Sequence, residues 1–424
     1  MKKFWQIIYN YFTAPLIFIL AHLVSVFSRK VRNGVYPRYR SINQVEAWIQ
    51  KQPDTQKRVI FHAASLGEFE HIRPLLEEFK SQYQTTNIVF FFSPSGYEHV
   101  GTPRGLDAYF YMPFDRPKNW NRLFNIIKPT MLIVAKHDVW PAQIWTARHY
   151  AIPTFLINAS LREKSSRSKH LVKRFLKHVY RDFDYIYAIS EDDTRRFATH
   201  YPRCRVETMG DTKYDQVVVR KKQAKSVELL PESWIKEDWI FVGGSVWPED
   251  TAHLFPALVR LLEKKPQLKV ILVPHQPVEK AVKNIEEKFF QWGTKRFSQR
   301  ETLQTERVLI VDAIGYLAGI YHYAKAAYVG GSFHQGVHNV MEPAIFGIPV
   351  LYGPVHTNSY EAIQFSENNG GQVVTNADEI YRAIGTLYEN EAQRQAVGLQ
   401  AKQFATRNTG ATERLIVKWK HLLA

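Results

Sequence analysis

Apolar runs alternate with amphipathic stretches along most of this chain, and that alternation predicts its architecture. "RVIFHAAS" (58–65) reads as a buried strand and "GEFEHIRPLLEEFK" (67–80) as the helix after it. "TNIVFFFSPSG" (86–96), "TMLIVAKHDVW" (130–140), "IPTFLINAS" (152–160) and "DYIYAIS" (184–190) continue the strands. Such a series implies a parallel sheet covered on both faces. Near Cys204 the pattern restarts. "RVETMGDTKYDQV" (205–217) leads through a polar stretch (218–238) to "WIFVGGS" (239–245). "LKVILVPHQ" (268–276), "RVLIVDA" (307–313), "AKAAYVGGS" (324–332) and "IPVLYGP" (348–354) follow. The expectation is an α/β protein of two Rossmann-like doubly wound domains facing a cleft, residues 41–205 and 206–388. A helical segment, 389–424, can pack on either domain, and 424 residues are enough for two cores.

Ligands of such sheets bind beyond the carboxyl ends of the strands, so the polar residues there are the candidates. Gly330 and Gly331 end one strand with no Cβ to obstruct a ligand. Asn339 can cap a short helix at "NVMEP", and Gly347 suits its end. The free N–H groups of that helix would attract an anion, while Glu342 could accept hydrogen bonds from a vicinal diol. Together they describe a nucleotide, phosphate on one and ribose on the other; the plainer alternative is a Glu that only complements the helix dipole. Glu68 poses the same choice in "FHAASLGEFE", in the first turn of the first helix. There its pKa is expected to be lowered, which makes it a ready but weak general base. His62 and Glu70 are weaker rivals for that role. Ser245, His275 and Lys213 stand after other strands, where each could meet a phosphate or acidic sugar or be merely structural. Lys136, His137 and Asp138 follow a further strand, but one Asp and one His are too few for a metal, and no DxD pair occurs. The absence of GxxxxGK[ST] and GxGxxG disfavours P-loop and standard dinucleotide sites.

Charge and composition narrow the choice of partner. The formal charge of +16 implies something anionic: nucleic acid, anionic lipid or a phosphorylated substrate. The first forty residues hold Lys2, Lys3, Arg29, Lys30, Arg32, Arg38 and Arg40 and no acid. Within them, "FWQIIYNYFTAPLIFILAHLVSVF" (4–27) is long enough to span a bilayer, and no small-residue cleavage site follows it. Gln6, Asn10, Pro15 and His22 interrupt it, and Trp5, Tyr9 and Tyr11 suit an interface. Residues 1–40 are therefore read as a membrane anchor with a basic linker, spanning or interfacial, a buried amphipathic helix being the alternative. A second basic block, 161–181, has Glu163 as its sole acid; it reads as a solvated face unless it shares a side with the anchor. The single Cys204 excludes an intramolecular disulfide framework and fits a reducing compartment.

In order along the chain, these segments resemble the Kdo (3-deoxy-D-manno-oct-2-ulosonic acid) transferases. "HAASLGE" (62–68) is similar to the family's HSVSVGE, "DVWP" (138–141) to ELWP, and "GGSFHQGVHNVMEP" (330–343) to GGSLxxxGGHNPLEP. "NASL" (158–161), "GDTKYD" (210–215) and "ILVPHQP" (271–277) lie between them. The resemblance implies a GT-B fold with the acceptor on the first domain and CMP-Kdo mainly on the second. It implies Glu68 as general base, and Asp138 and Lys213 as stabilisers of the transition state. Donor contacts then fall to Ser245, Pro274, His275, Ile314, Gly315, Tyr316, Gly331, Ser332, Asn339, Val340, Met341 and Glu342. It also implies inverting transfer to a lipid A precursor, lipid IVA, without metal or cofactor, on the cytoplasmic side of an inner membrane rich in anionic lipid, with no nucleic-acid partner. The chain departs from the pattern in five places. His275 stands for an arginine, Lys136 for an acid, Val337 for a glycine and Val340 for a proline, and the loop before "GVHNV" is one residue shorter and lacks an arginine. A GT-B enzyme using a UDP-sugar is the nearest alternative, and a basic nonenzymatic surface-binding protein a more distant one.

Overall fold

The computed structural model describes the chain except for residues 54–56, 137, 162–164, 166, 168, 226–227, 237–238 and 369. The described residues form two compact units, 1–216 with 409–424, and 217–408. The boundary falls inside a helix, Lys213–Lys225.

The first unit is built on seven parallel strands: β1 (Arg58–Ala63), β2 (Thr86–Phe91), β3 (Ala108–Tyr111), β4 (Met131–Ala135), β5 (Thr154–Ala159), β6 (Tyr185–Ala188) and β7 (Val206–Thr208). Their order is β3-β2-β1-β4-β5-β6-β7. Every residue of β1, β2, β4 and β5 is buried, because a doubly covered sheet needs apolar side chains on both faces. The last helix, Ala411–Leu423, closes one face, its Trp419 4.9 Å from Phe155 and 6.0 Å from Phe79.

The second unit repeats the plan with β8 (Trp239–Val246), β9 (Leu268–Pro274), β10 (Thr294–Arg296), β11 (Val308–Ile310), β12 (Ala326–Val329), β13 (Val350–Tyr352) and β14 (Gly371–Val373). The order is β10-β11-β9-β8-β12-β13-β14, again all parallel. In each sheet the direction of winding reverses beside the first strand, between β1 and β4 and between β8 and β12. Those two switch points are where α/β sheets open crevices at their carboxyl ends.

The apolar N-terminal run is helical from Lys2 to Phe27, with a π-helical segment at Tyr9–Thr13. It is the one described helix long and apolar enough to cross a membrane. A narrow stripe of it docks on the first unit through Trp5 and Tyr9 on Phe175, and Phe18 and His22 on Phe114. Phe4, Tyr11, Phe12, Leu16, Leu20, Leu23 and Phe27 stay exposed. Phe175 lies in the basic helix His170–Tyr180. The second basic block and the anchor therefore meet, and Lys2 Nζ reaches Asp182 at 2.5 Å.

Candidate functional site

At the first switch point, β1 ends at Ala63 and Ser65 caps the helix Leu66–Tyr83, its Oγ accepting from Glu68 N at 3.4 Å. The Glu68 carboxylate turns back over this turn, and its Oε2 accepts from Ala64 N at 2.7 Å. Only 8 % of Glu68 is exposed. The expectation of a lowered pKa fails here. Burial pushes the carboxyl up to about 7, with the nearby Asp138 charge adding and the Ala64 N–H and Lys136 opposing. Desolvation of the side chain outweighs the helix terminus, so Glu68 is a stronger base than dipole reasoning allows.

Asp138 follows β4 and accepts from Trp140 Nε1 at 3.1 Å. His62 belongs to β1 and is fully buried; its Nδ1 meets Gln143 Oε1 at 2.9 Å and its Nε2 stands 3.9 Å from Asp138. Donation to the amide oxygen leaves the Nε2 lone pair toward the carboxylate, and burial lowers the pKa of the ring. Glu70 pairs with Arg73 at 3.3 Å on the outer side. Lys136 holds φ at 59° and Asn158, after β5, at 53°, left-handed values that cost a residue with a Cβ about 1 kcal/mol. Asn158 is fixed by Thr212, which donates to its Oδ1 through N at 3.1 Å and accepts from its Nδ2 at 2.7 Å. Thr212 Oγ1 in turn donates to His71 O, and His71 Nδ1 meets Asp211 at 2.6 Å. This network places Lys213, the next residue, at the start of its helix with its N–H on Asp211 Oδ1 at 2.9 Å. Among the described residues no three His, Cys, Asp or Glu side chains converge, and His137 lies outside them.

Two residues that pattern reading passed over tie this end together. Asp115, after β3, is fully desolvated and saturated, accepting from Tyr9 OH (2.8 Å), Trp120 Nε1 (2.7 Å), Ala142 N (2.9 Å) and Gln143 N (2.9 Å). It joins the anchor to the helix that begins just beyond Asp138. Arg38 spends its guanidinium on the carbonyls of Gly34, Met112 and Phe92, and burial pulls its pKa down to about 10. Three carbonyls and a buried arginine leave no sequence signal beyond a basic residue in a basic stretch.

The second switch point is made differently. Asp250 accepts from Trp247 N, Gly331 N and Tyr328 OH, each at 2.8 Å, and so pins the end of β8 to the end of β12. Trp247 stacks on His275 (4.0 Å, 18°) and donates through Nε1 to His338 Nε2 at 2.9 Å. Burial lowers the pKa of both histidines, and the neighbouring His275 lowers that of His338 further. A cavity of about 920 Å³ opens beside this stack, lined by Trp247, Pro274 and His275, with Lys280 and Lys283 on its wall.

The remaining donor candidates lie apart from that cavity. Ser245 sits inside β8 at a register shift, with φ at 52°. Ile314, Gly315 and Tyr316 form an exposed loop after β11, Ile314 being 84 % exposed. Ser332 is fully buried and its hydroxyl is used within the fold, donating to Val329 O and accepting from Gly353 N. Val340 and Met341 are core side chains. Asn339 is not the cap expected: Val340 is the N-cap and makes no side-chain cap bond, while Asn339, one residue earlier, accepts from Met341 N through Oδ1 at 3.1 Å. The helix has only four residues, Met341–Ala344, too few for an effective dipole. Glu342 is 9 % exposed and ion-paired with Arg220. The glycine pair also has another cause than ligand access. A Cβ on Gly330 would stand 2.2 Å from Ser245 O, and one on Gly331 2.5 Å from Gly336 O at φ +79°. The chain packs against itself there.

A family described as "3-Deoxy-D-manno-octulosonic-acid transferase (kdotransferase)" matches residues 34–216. A 3-deoxy-D-manno-octulosonic acid transferase of Haemophilus influenzae is 27 % identical over 95 % of this chain and 94 % of its own length. One from Aquifex aeolicus is 31 % identical over 77 % of this chain and 84 % of its own. Among solved structures, a UDP-GlcNAc 2-epimerase from Neisseria meningitidis covers 86 % of this chain and all of its own (100 %), with a TM-score of 0.59 at 14 % identity. That likeness is one of fold, and it is the two-sheet, GT-B-like arrangement expected from the motifs.

Proposed function

From the premise that this chain belongs to the 3-deoxy-D-manno-octulosonic acid transferase family and is a glycosyltransferase, we propose that it transfers Kdo from CMP-Kdo to lipid IVA with inversion at the anomeric carbon. The observation that carries this reading is Glu68, a carboxylate desolvated at the first switch point with its pKa near neutrality. In the proposed step Glu68 takes the proton of an acceptor sugar hydroxyl as the oxygen attacks the anomeric carbon. The bond to CMP breaks on the opposite face, and the electron pair leaves with the phosphate. Asp138 keeps Glu68 basic by its charge, and Lys213 offers a cation to the leaving phosphate. No metal enters this scheme.

The donor is assigned to the second unit. The stack of Trp247, His275 and His338 supports this, because a flat uncharged platform suits a nucleobase. Lys280 offers positive charge that the neutral His275 does not, while Lys283 on the same wall is paired with Glu279 at 3.7 Å. Glu342 is retained as the ribose acceptor, held by Arg220 rather than by a helix terminus. The acceptor is assigned to the first unit, on which a narrow stripe of the anchor docks, and the anchor is read as lying in a membrane interface instead of crossing it. Contact between the anchor and the basic helix His170–Tyr180 supports a cytoplasmic-face inner-membrane location on anionic lipid.

Mass spectrometry of product from purified enzyme, CMP-Kdo and lipid IVA tests the assignment, with CMP expected to inhibit and UDP not to. Inhibition by UDP alone would favour the UDP-sugar alternative, and no Kdo adduct would overturn the proposal.

A further inference from the structure

The anchor helix does not seat flat on the first unit. Aromatic struts hold it at two points along its middle, Tyr9 on Phe175 and Phe18 on Phe114. Small residues, Ala14 and Ala21, face the unit around them. A cavity of about 240 Å³ remains under the helix, walled by Ala14, Ile17, Ala21, Val31, Phe92 and Trp140 among others. The Tyr9 hydroxyl and the Arg38 guanidinium on its wall are engaged, Tyr9 with Asp115 and Arg38 with three carbonyls. With these groups taken and most of the lining apolar, the space suits a hydrocarbon and not a sugar, its open charges being the exposed Lys30 and Arg116.

We propose that this cavity takes one acyl chain of the glycolipid acceptor, a reading that rests on the proposed function. Three observations single out that occupant. Ile17, which lines the cavity, also belongs to the exposed apolar side of the helix with Leu16 and Leu20, so hydrocarbon is continuous from the membrane side. Lys30 and Arg116 line it too, both exposed and neither ion-paired among the described residues, which matches a phosphorylated lipid. Arg116 is held over the Phe18 ring at 4.6 Å. The far wall is the back of the reaction centre. Phe92 stacks on Trp140 at 4.8 Å, Trp140 bonds Asp138, and Ser93 N donates to the O of Ala64, whose N–H holds Glu68. A chain lodged here belongs to a lipid whose sugar stands at Glu68.

Ala21→Trp, with Val31→Phe as a milder filling, tests this in the full-length enzyme. Transfer is measured to lipid IVA and to its fully deacylated bisphosphorylated disaccharide. Filling the cavity raises KM for lipid IVA about tenfold and leaves KM for CMP-Kdo and the deacylated acceptor unchanged. An unchanged KM for lipid IVA, or an equal rise for both acceptors, overturns the inference. A lipid IVA probe with a diazirine in its acyl chains is expected to label 14–21 or 92–94 in the parent protein and to lose that label in Ala21→Trp. Labelling confined to the outer side of the helix, or a phosphatidylglycerol diazirine probe labelling these peptides undisplaced by lipid IVA, also overturns it. If the parent enzyme transfers Kdo to neither acceptor, the proposed function fails, while the cross-link map still decides the cavity.

Discussion

The carboxyl end of the first sheet holds a carboxylate that resists ionisation; the corresponding end of the second holds a stack of uncharged rings. Topology is the same on both sides, with a reversal beside the first strand and a saturated buried aspartate bracing the loops, Asp115 in one unit and Asp250 in the other. The bracing is interchangeable architecture. What differs is the group left to face a ligand. Glu68 sits among Asp138, Lys136 and buried walls, where a proton can be held and released near neutral pH. Trp247, His275 and His338 offer flat surface without charge. A doubly wound sheet thus supplies the place, and a few strand-end side chains decide whether it handles protons or bases.

The sharpest way to break this contrast is Glu68→Gln. Loss of a general base is expected to reduce kcat about a thousandfold, some 4 kcal/mol of barrier, with CMP affinity nearly unchanged. In the parent enzyme kcat/KM is expected to rise with pH through about 7, as Glu68 ionises. CMP binding stays flat above neutrality, because burial keeps His275 and His338 uncharged there. A pH limb that survives in Glu68→Gln would move the base elsewhere. Asp115→Ala comes next. It strands the Tyr9 hydroxyl, the Trp120 indole N–H and two backbone N–H groups, and is expected to cost about 3 kcal/mol in denaturant unfolding. A loss under about 0.5 kcal/mol would show that the bracing is dispensable.

Much of this was legible in the chain. Strands β1, β2, β4, β5, β8, β9 and β12 announce themselves as continuous apolar runs. β3 hides in "AYFY" among polar and proline residues, and β10 and β14 are three-residue edge strands without a pattern of their own. Glu68 was placed by its position after a strand, but the direction of its pKa was not, because helix dipoles are local and burial is not. Distance in sequence hid the other partners: Tyr9 and Asp115 are 106 residues apart, Arg220 and Glu342 122. The left-handed backbones of Lys136, Asn158 and Ser245 carry no signal either, since none is glycine.

A smaller effect reads the strain at Glu68 directly. Its folded pKa, about 7, lies above the model-peptide value of 4.5. Stability from the neutral form is therefore full below 4.5 and lost as pH rises through about 7. Glu68→Gln removes that loss, so the inactive variant is expected to be more stable than its parent by about 2 kcal/mol near pH 8 and equal to it near pH 4. Urea midpoints at both values check the sign. Reversal of the order would mean that Glu68 is stabilised in its ionised form.

The smallest expected effect lies in the second unit. Glu342→Ala is expected to weaken CMP binding about tenfold, near 1.4 kcal/mol, as one diol contact is lost. Glu342→Gln keeps an acceptor oxygen and should lose about half of that free energy. Arg220→Ala removes the ion-pair partner and leaves the carboxylate, so its effect separates positioning from contact. If calorimetry returns one CMP affinity for all three variants and the parent, the carboxylate serves the fold alone, and the nucleotide is held by the ring stack and the lysines beside it.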